Sequence, residues 1–96
     1  MATTKEYKDF ILEQLNLLDK VTYRPMMGEY LLYYNNLLFG GIYDNKLLIK
    51  IVDSNIKYNL EKVIAYKGAK EMYLVDRIDN KDILKNIILD TYNDLK

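Results

Sequence analysis

Residues 23–50 read YRPMMGEYLLYYNNLLFGGIYDNKLLIK, and how this stretch folds decides the architecture of the chain. It is apolar and aromatic, interrupted by two turn-forming pairs. Asn35-Asn36 and Asp44-Asn45 tolerate the positive φ that both central positions of a type I′ turn demand. A two-residue loop at each pair yields antiparallel strands over residues 21–34, 37–43 and 46–52, with residues 21–23 as a separable lead-in. Pro25 has no ladder donor, so it belongs at a strand start, an edge or a bulge. Gly28 is a candidate bulge.

Two-residue loops set a register. Leu32 then faces Phe39, Tyr30 faces Gly41, and Gly41 faces Leu48. Side chains alternate along a strand, so this register sorts them into two faces. Leu31, Tyr33, Leu38, Gly40, Ile42, Leu47, Ile49 and Ile51 form an aliphatic face, assigned to the core beneath the helices. Gly40 there would admit a closely packed helix. Tyr30, Leu32, Tyr34, Phe39, Tyr43 and Lys50 fall on the other face, with Leu37, Gly41, Lys46 and Leu48. Tyr30 is expected to lie over Gly41. A solvated sheet face is normally polar. An apolar, Tyr-rich one marks an interface. A second copy or another partner is expected to cover it, with Arg24 and Lys50 at or near its rim. The competing reading is that a terminal helix or loop of the same chain covers it.

Helices flank this core of strands. Residues 4–18 carry a helical stripe of Tyr7, Phe10, Ile11, Gln14, Leu15 and Leu18, and Thr3 with Glu6 has capping-box spacing. A short helix is expected over residues 54–64, with Ile56, Leu60, Val63 and Ile64 on one face. A turn near Lys67-Gly68-Ala69 leads into a strand over residues 71–75, which a stub at Ala65-Tyr66 can pair. Asp79 or Asn80 caps a last helix that runs to about Leu95. Hairpin-linked strands with helices at both ends make an α+β domain built on an antiparallel sheet.

The whole chain of 96 residues is expected to be one domain. Half of its residues are apolar, which argues against disorder. With no cysteine, disulfide and thiolate chemistry are excluded, and with no histidine the commonest metal ligand and near-neutral proton carrier are missing. The formal net charge is +0 with no dense basic block, so direct nucleic-acid binding is not expected. No h-region opens the sequence and no apolar run spans a bilayer, so a cytoplasmic location without a membrane partner is expected.

Each remaining motif has a functional and a bland reading. Arg24 could fork onto an anion or a partner carboxylate, or make an intrachain salt bridge. Met26-Met27 could form an adaptable surface or fill the core. Gly40-Gly41 lacks the continuation of a phosphate loop and serves packing. Lys67-Gly68-Ala69-Lys70 could meet an anion or be a solvated turn. Asp76, Asp79 and Asp82 match no calcium loop, and helix capping explains the last two. No catalytic set, cofactor site or metal site can be assembled, so an enzyme is not expected.

The quoted stretch also resembles the signature of the TfoX N-terminal domain, an Arg-x-Met-(aromatic or Met)-Gly start followed by a Tyr-ended strand, a Phe-Gly or similar strand, and a turn into a strand ending in Lys. Arg24, Met26, Gly28, Tyr34, Phe39, Leu47 and Lys50 are the matching positions. Residues 66–76, YKGAKEMYLVD, resemble the family's later segment, in which a glycine is followed by a methionine, and the closing amphipathic helix fits as well. The resemblance covers nearly the whole chain. It implies the element order α-β-β-β-α-β-β-α and a secretion-chaperone-like fold that dimerises. It also implies a link to TfoX/Sxy regulators, which activate competence genes with a cyclic-AMP receptor protein. Those regulators carry a second, helical domain, so a stand-alone module of N-terminal type is expected here. The family pattern supplies no catalytic residues. Together these readings lead to a non-enzymatic, homodimeric regulatory module, with a transcription-regulatory protein as a further partner. The alternative is a small-ligand or anion-binding domain that uses the same face as a pocket.

Overall fold

A computed structural model describes residues 2–96. It contains helix α1 (Lys5–Gln14), strands β1 (Val21–Met26), β2 (Glu29–Tyr34), β3 (Leu37–Tyr43) and β4 (Lys46–Ile49), and a 3₁₀ segment Asp53–Tyr58. Strands β5 (Glu61–Ile64) and β6 (Glu71–Val75) and helix α2 (Lys81–Leu95) complete it. All strand pairs are antiparallel, in the order β1-β2-β3-β4-β6-β5. The α+β class with a helix at each end is as expected.

The sheet holds one strand more than the spacing predicts, because Pro25 and Gly28 do not sit in one long strand. Met27 (φ 50°) and Gly28 (φ 85°) form a third two-residue turn, and β1 pairs with β2 across it. Asn35-Asn36 and Asp44-Asn45 adopt the expected positive φ. The helix expected over residues 54–64 is one 3₁₀ stretch only. Asn59 (φ 55°) ends it in a left-handed turn, and Val63 and Ile64 extend into β5 instead.

Helix α1 begins one residue later than the capping-box spacing predicts. Thr4 is its cap, with Oγ1 accepting from the Tyr7 amide at 3.1 Å. Thr3 is buried instead, and its hydroxyl donates to Glu29 Oε1 at 2.7 Å. The helical hydrogen bonding stops near Gln14, but Leu15 and Leu18 beyond it still reach the core. Phe10 does not and stays 42% exposed.

The register of β2 and β3 departs from the simple alternation. Tyr34 faces Leu37 and Tyr33 faces Leu38, but Leu32 faces Gly40 and Tyr30 faces Ile42. Phe39 is the extra residue of a β-bulge. A Cβ on Gly40 would lie 2.1 Å from the Leu48 carbonyl oxygen, so it is the β4 backbone, not a helix, that needs this glycine. Relative to Ile42, Leu47 and Ile49, which keep their expected place in the core, every β2 side chain faces the side opposite to the one predicted, since a one-residue slip swaps faces.

One hydrophobic cluster results. Ile11 and Leu15 from the α1 side and Leu84, Ile87 and Ile88 of α2 pack on Leu32, Phe39, Ile42, Leu47, Ile49, Tyr73 and Val75. Tyr30 and Tyr34 pack at its margin. The 3₁₀ segment is pinned to α2 by Asn55, which is fully buried. Its Nδ2 donates to the Lys50 carbonyl at 2.8 Å and to Thr91 Oγ1 at 2.9 Å, and its Oδ1 accepts from the Val52 amide at 3.1 Å.

Candidate functional site

The expected partner face, Arg24, Tyr30, Leu32, Tyr34, Phe39, Tyr43 and Lys50, is not one surface. Leu32 and Phe39 are 0% exposed beneath the helices, and Tyr30 and Tyr34 flank them there. For these four the chain's own helices are the cover. The physical reason is the bulge at Phe39, which turns the even-numbered side chains of β2 toward the helices. Tyr34 stacks edge-on against Tyr92 of α2, with ring centroids 5.0 Å apart. Tyr43, Lys50 and Arg24 fall on the opposite side.

That opposite side lies away from the bodies of α1 and α2, of which Leu95 alone lines its cavity, yet it is apolar. The register places Leu31, Tyr33, Leu38, Tyr43, Leu48 and Leu74 on it. The Tyr43 ring lies over Gly41, where an added Cβ would be 2.7 Å from Cε2; Tyr43, not Tyr30, covers this glycine. Burial raises the Tyr43 phenol above its ordinary pKa, with smaller contributions from Tyr66, Glu29 and Tyr33.

A cavity of about 470 Å³ opens on this face. Leu31 and Leu38 form one side, and Ala65, Tyr66 and Ala69 of the β5–β6 connection form the other. Tyr43, Ile51, Met72 and Leu95 complete its apolar lining, and Lys50, Lys70 and Glu71 bring the only charges. Tyr43 also lines a hollow of about 240 Å³ with Leu48, Val63 and Ile64. Gly68 (φ 88°) turns the connection that carries Lys70, and it has open space around it.

Arg24 stands apart from Lys50. It lines a different hollow, of about 250 Å³, with Thr22, Tyr23, Tyr33 and Asn36. Its guanidinium lies 5.8 Å from the Tyr33 ring centroid, and it makes no ion pair among the described residues. Arg24 therefore packs on an aromatic ring rather than bridging to a carboxylate. Met27 is 98% exposed at its turn, so it does not fill the core. At the start of α2, Asn80 is the cap, accepting from the Ile83 amide at 3.1 Å, and Asp82 sits in the first turn.

Two polar clusters lie away from this face. Lys8 is nearly buried, with Nζ 2.7 Å from Asp9 and 4.6 Å from the Tyr23 ring centroid. The hydrogen bond to Asp9 raises the Lys8 pKa and lowers that of Asp9. Tyr58 donates to Asp90 Oδ2 at 2.5 Å, and Lys57 lies 3.1 Å from the same oxygen. Burial, then the bond to Asp90, pushes the Tyr58 phenol up to about 12. Both clusters fasten local structure, and neither opens into the cavity. Among the described residues no group of three acidic side chains is placed to hold a metal ion, and no helix is long and apolar enough to cross a membrane.

The profile of the TfoX N-terminal domain matches residues 13–91. An uncharacterized 12.7 kDa protein in the trpE 5′ region of Spirochaeta aurantia is 32% identical to the chain over 80 residues, which span 81% of this chain and 70% of that relative.

Proposed function

The chain belongs to the TfoX N-terminal domain family, and from that premise we propose that it is a non-enzymatic regulatory module that works by self-association through its helix-free sheet face. Membership makes a competence-regulator-like role the starting point, and the face supplies the means. The observation that carries the reading is the contrast between the two sides of the sheet. One is covered by α1 and α2, and the other carries an apolar patch of half-buried Leu31, Leu38 and Met72 and exposed Tyr66 around a buried Tyr43, where the one α2 residue lining the cavity is its last, Leu95. Patches of this kind mark protein contacts, and tyrosine suits their half-wet character.

A second copy fits the charge pattern. Lys46, Lys50 and Lys70 share the rim with Glu61 and Glu71, and a two-fold axis sets a surface against itself, so lysines of one copy meet glutamates of the other. A transcription-regulatory protein is the further partner that family membership brings to the proposal. Leu38→Asp tests the reading, because it charges the patch without entering the helix-covered core. Light scattering should give twice the chain mass for the parent protein and the chain mass for the variant, with unchanged circular dichroism. A parent protein that stays at the chain mass at high concentration overturns self-association.

A further inference from the structure

We infer that the cavity beside Tyr43 is a binding site for a single-chain carboxylate of fatty-acid type, its chain lying along the sheet and its carboxylate at Lys50 and Lys70. This goes beyond self-association, since a cavity within one copy needs no second copy to form.

Three features carry the inference. The first is size. About 470 Å³ lies in the range of small-molecule sites and far above a packing void. The second is the chemistry of the walls. Leu31, Leu38, Ile51, Met72 and Leu95 are flexible or branched aliphatics, and Met72 in particular adapts to an irregular apolar guest. Besides the two lysines, the side-chain donors of the lining are the Tyr43 and Tyr66 phenols, too few to satisfy a sugar, a base or a peptide. The third is charge. Lys50 and Lys70 set two ammonium groups against the one carboxylate of Glu71. Neither lysine makes an ion pair among the described residues. An apolar slot with unpaired cations at its mouth is complementary to a guest with an apolar body and one anionic end. A neutral lipid leaves those cations unused, and a polyanion cannot bury its charges against leucine.

The sheet explains why the slot exists. The bulge at Phe39 and the missing side chain at Gly40 bend β3, and Gly40 itself lines the cavity. The β5–β6 connection then faces Leu31 and Leu38 across the gap instead of packing on them.

The test is a titration of the full chain with hexanoate, octanoate and decanoate, each below its micelle-forming concentration, followed by calorimetry and by amide shifts in NMR. Affinity should rise roughly fourfold per added methylene, the transfer free energy of one buried CH₂. Shifts should gather at Leu38, Ile51 and Met72. Methyl decanoate should bind more weakly than decanoate, and the double variant Lys50→Glu, Lys70→Glu should bind decanoate roughly tenfold more weakly, as expected for reversing two exposed charges. The double variant should keep the parent's fold, which circular dichroism checks. No saturable binding of decanoate, equal binding of acid and ester, an unchanged double variant, or shifts centred elsewhere would each overturn the assignment. Mass measured on the same samples keeps the two proposals separate. Binding by a strict monomer upholds the site and defeats self-association, whereas a dimer that ignores decanoate does the reverse.

Discussion

Gly40 lies against Leu48 so closely that a Cβ on Gly40 would be 2.1 Å from the Leu48 carbonyl oxygen and 2.8 Å from Ile49 Cα. Both contacts are with backbone, which cannot rotate aside as a side chain can. Gly40→Ala should therefore push β3 from β4 and destabilise the protein by about 1–3 kcal/mol or more, the usual range for overpacking. A fall in the urea midpoint with unchanged slope is the expected reading. A variant as stable as the parent would show that the two strands do not meet this closely.

The same contact explains which parts of the fold were legible in the sequence. Asn35-Asn36 and Asp44-Asn45 announce their turns, because their side chains tolerate a left-handed backbone. The two terminal helices announce themselves through spacing, down to the Asn80 cap, whereas the same spacing over residues 54–64 belongs to a 3₁₀ turn and a strand. The bulge does not. Leu31, Leu32, Tyr33 and Tyr34 are all apolar, so no polar alternation reveals which of them face the core. The one available signal was Gly40-Gly41 inside a strand, which marks a bulge or a close backbone approach. An unbroken two-residue-loop register takes no account of the bulge and so assigns the faces of β2 in reverse. The sequence marks Lys50 as a charge at the rim of a sheet face, and it lines the cavity. Lys70 is singled out from the sequence with its glycine turn, but its place beside Lys50 and Tyr66 is not, because the course of the connection from β5 to β6 depends on tertiary packing.

Asn55→Ala should cost about 2–4 kcal/mol. It removes one buried amide that answers the Val52 amide, the Lys50 carbonyl and Thr91 Oγ1, and stranded buried polar groups cost about 1–3 kcal/mol each when water cannot reach them. Thr91→Val should cost less, because the Asn55 amide keeps its bond to the Lys50 carbonyl. Denaturation of the two single variants and the double variant checks this, and the coupling between the positions should be plainly non-additive.

Tyr58 and Asp90 predict losses of stability at both ends of the pH range. The hydrogen bond from Tyr58, with help from Lys57, holds the Asp90 carboxyl below its ordinary value. As pH falls, the unfolded chain takes up that proton first. The stabilisation is therefore complete above an unfolded pKa of about 4 and is lost as pH drops through the lower folded value. Tyr58 has the opposite sense. Its folded pKa, about 12, lies above the unfolded value of 10.0, so its contribution is complete below the latter and fades as pH rises toward the former. Urea midpoints of Asp90→Asn should fall less steeply in acid than those of the parent, and those of Tyr58→Phe less steeply in strong base. Parallel curves for parent and variants would remove this pair from the pH dependence.

Met27 sits at φ 50° in the first hairpin turn, 98% exposed, with Gly28 at φ 85° after it. A methionine in the left-handed region pays a steric penalty that asparagine largely avoids, and Asn-Gly is the favoured pair for this turn. Met27→Asn should therefore stabilise the hairpin by about 0.5–1 kcal/mol while touching nothing in the core. Gly28→Ala should do the reverse. It places a Cβ at a positive φ and 3.1 Å from the Ala2 Cβ, so both backbone strain and crowding oppose it. Thermal melts of the two variants should move in opposite directions. A destabilised Met27→Asn would mean that the exposed methionine serves packing which the turn geometry does not reveal. Turn and helix-free face are also separable here, since Met27→Asn should leave the mass in solution unchanged where Leu38→Asp alters it.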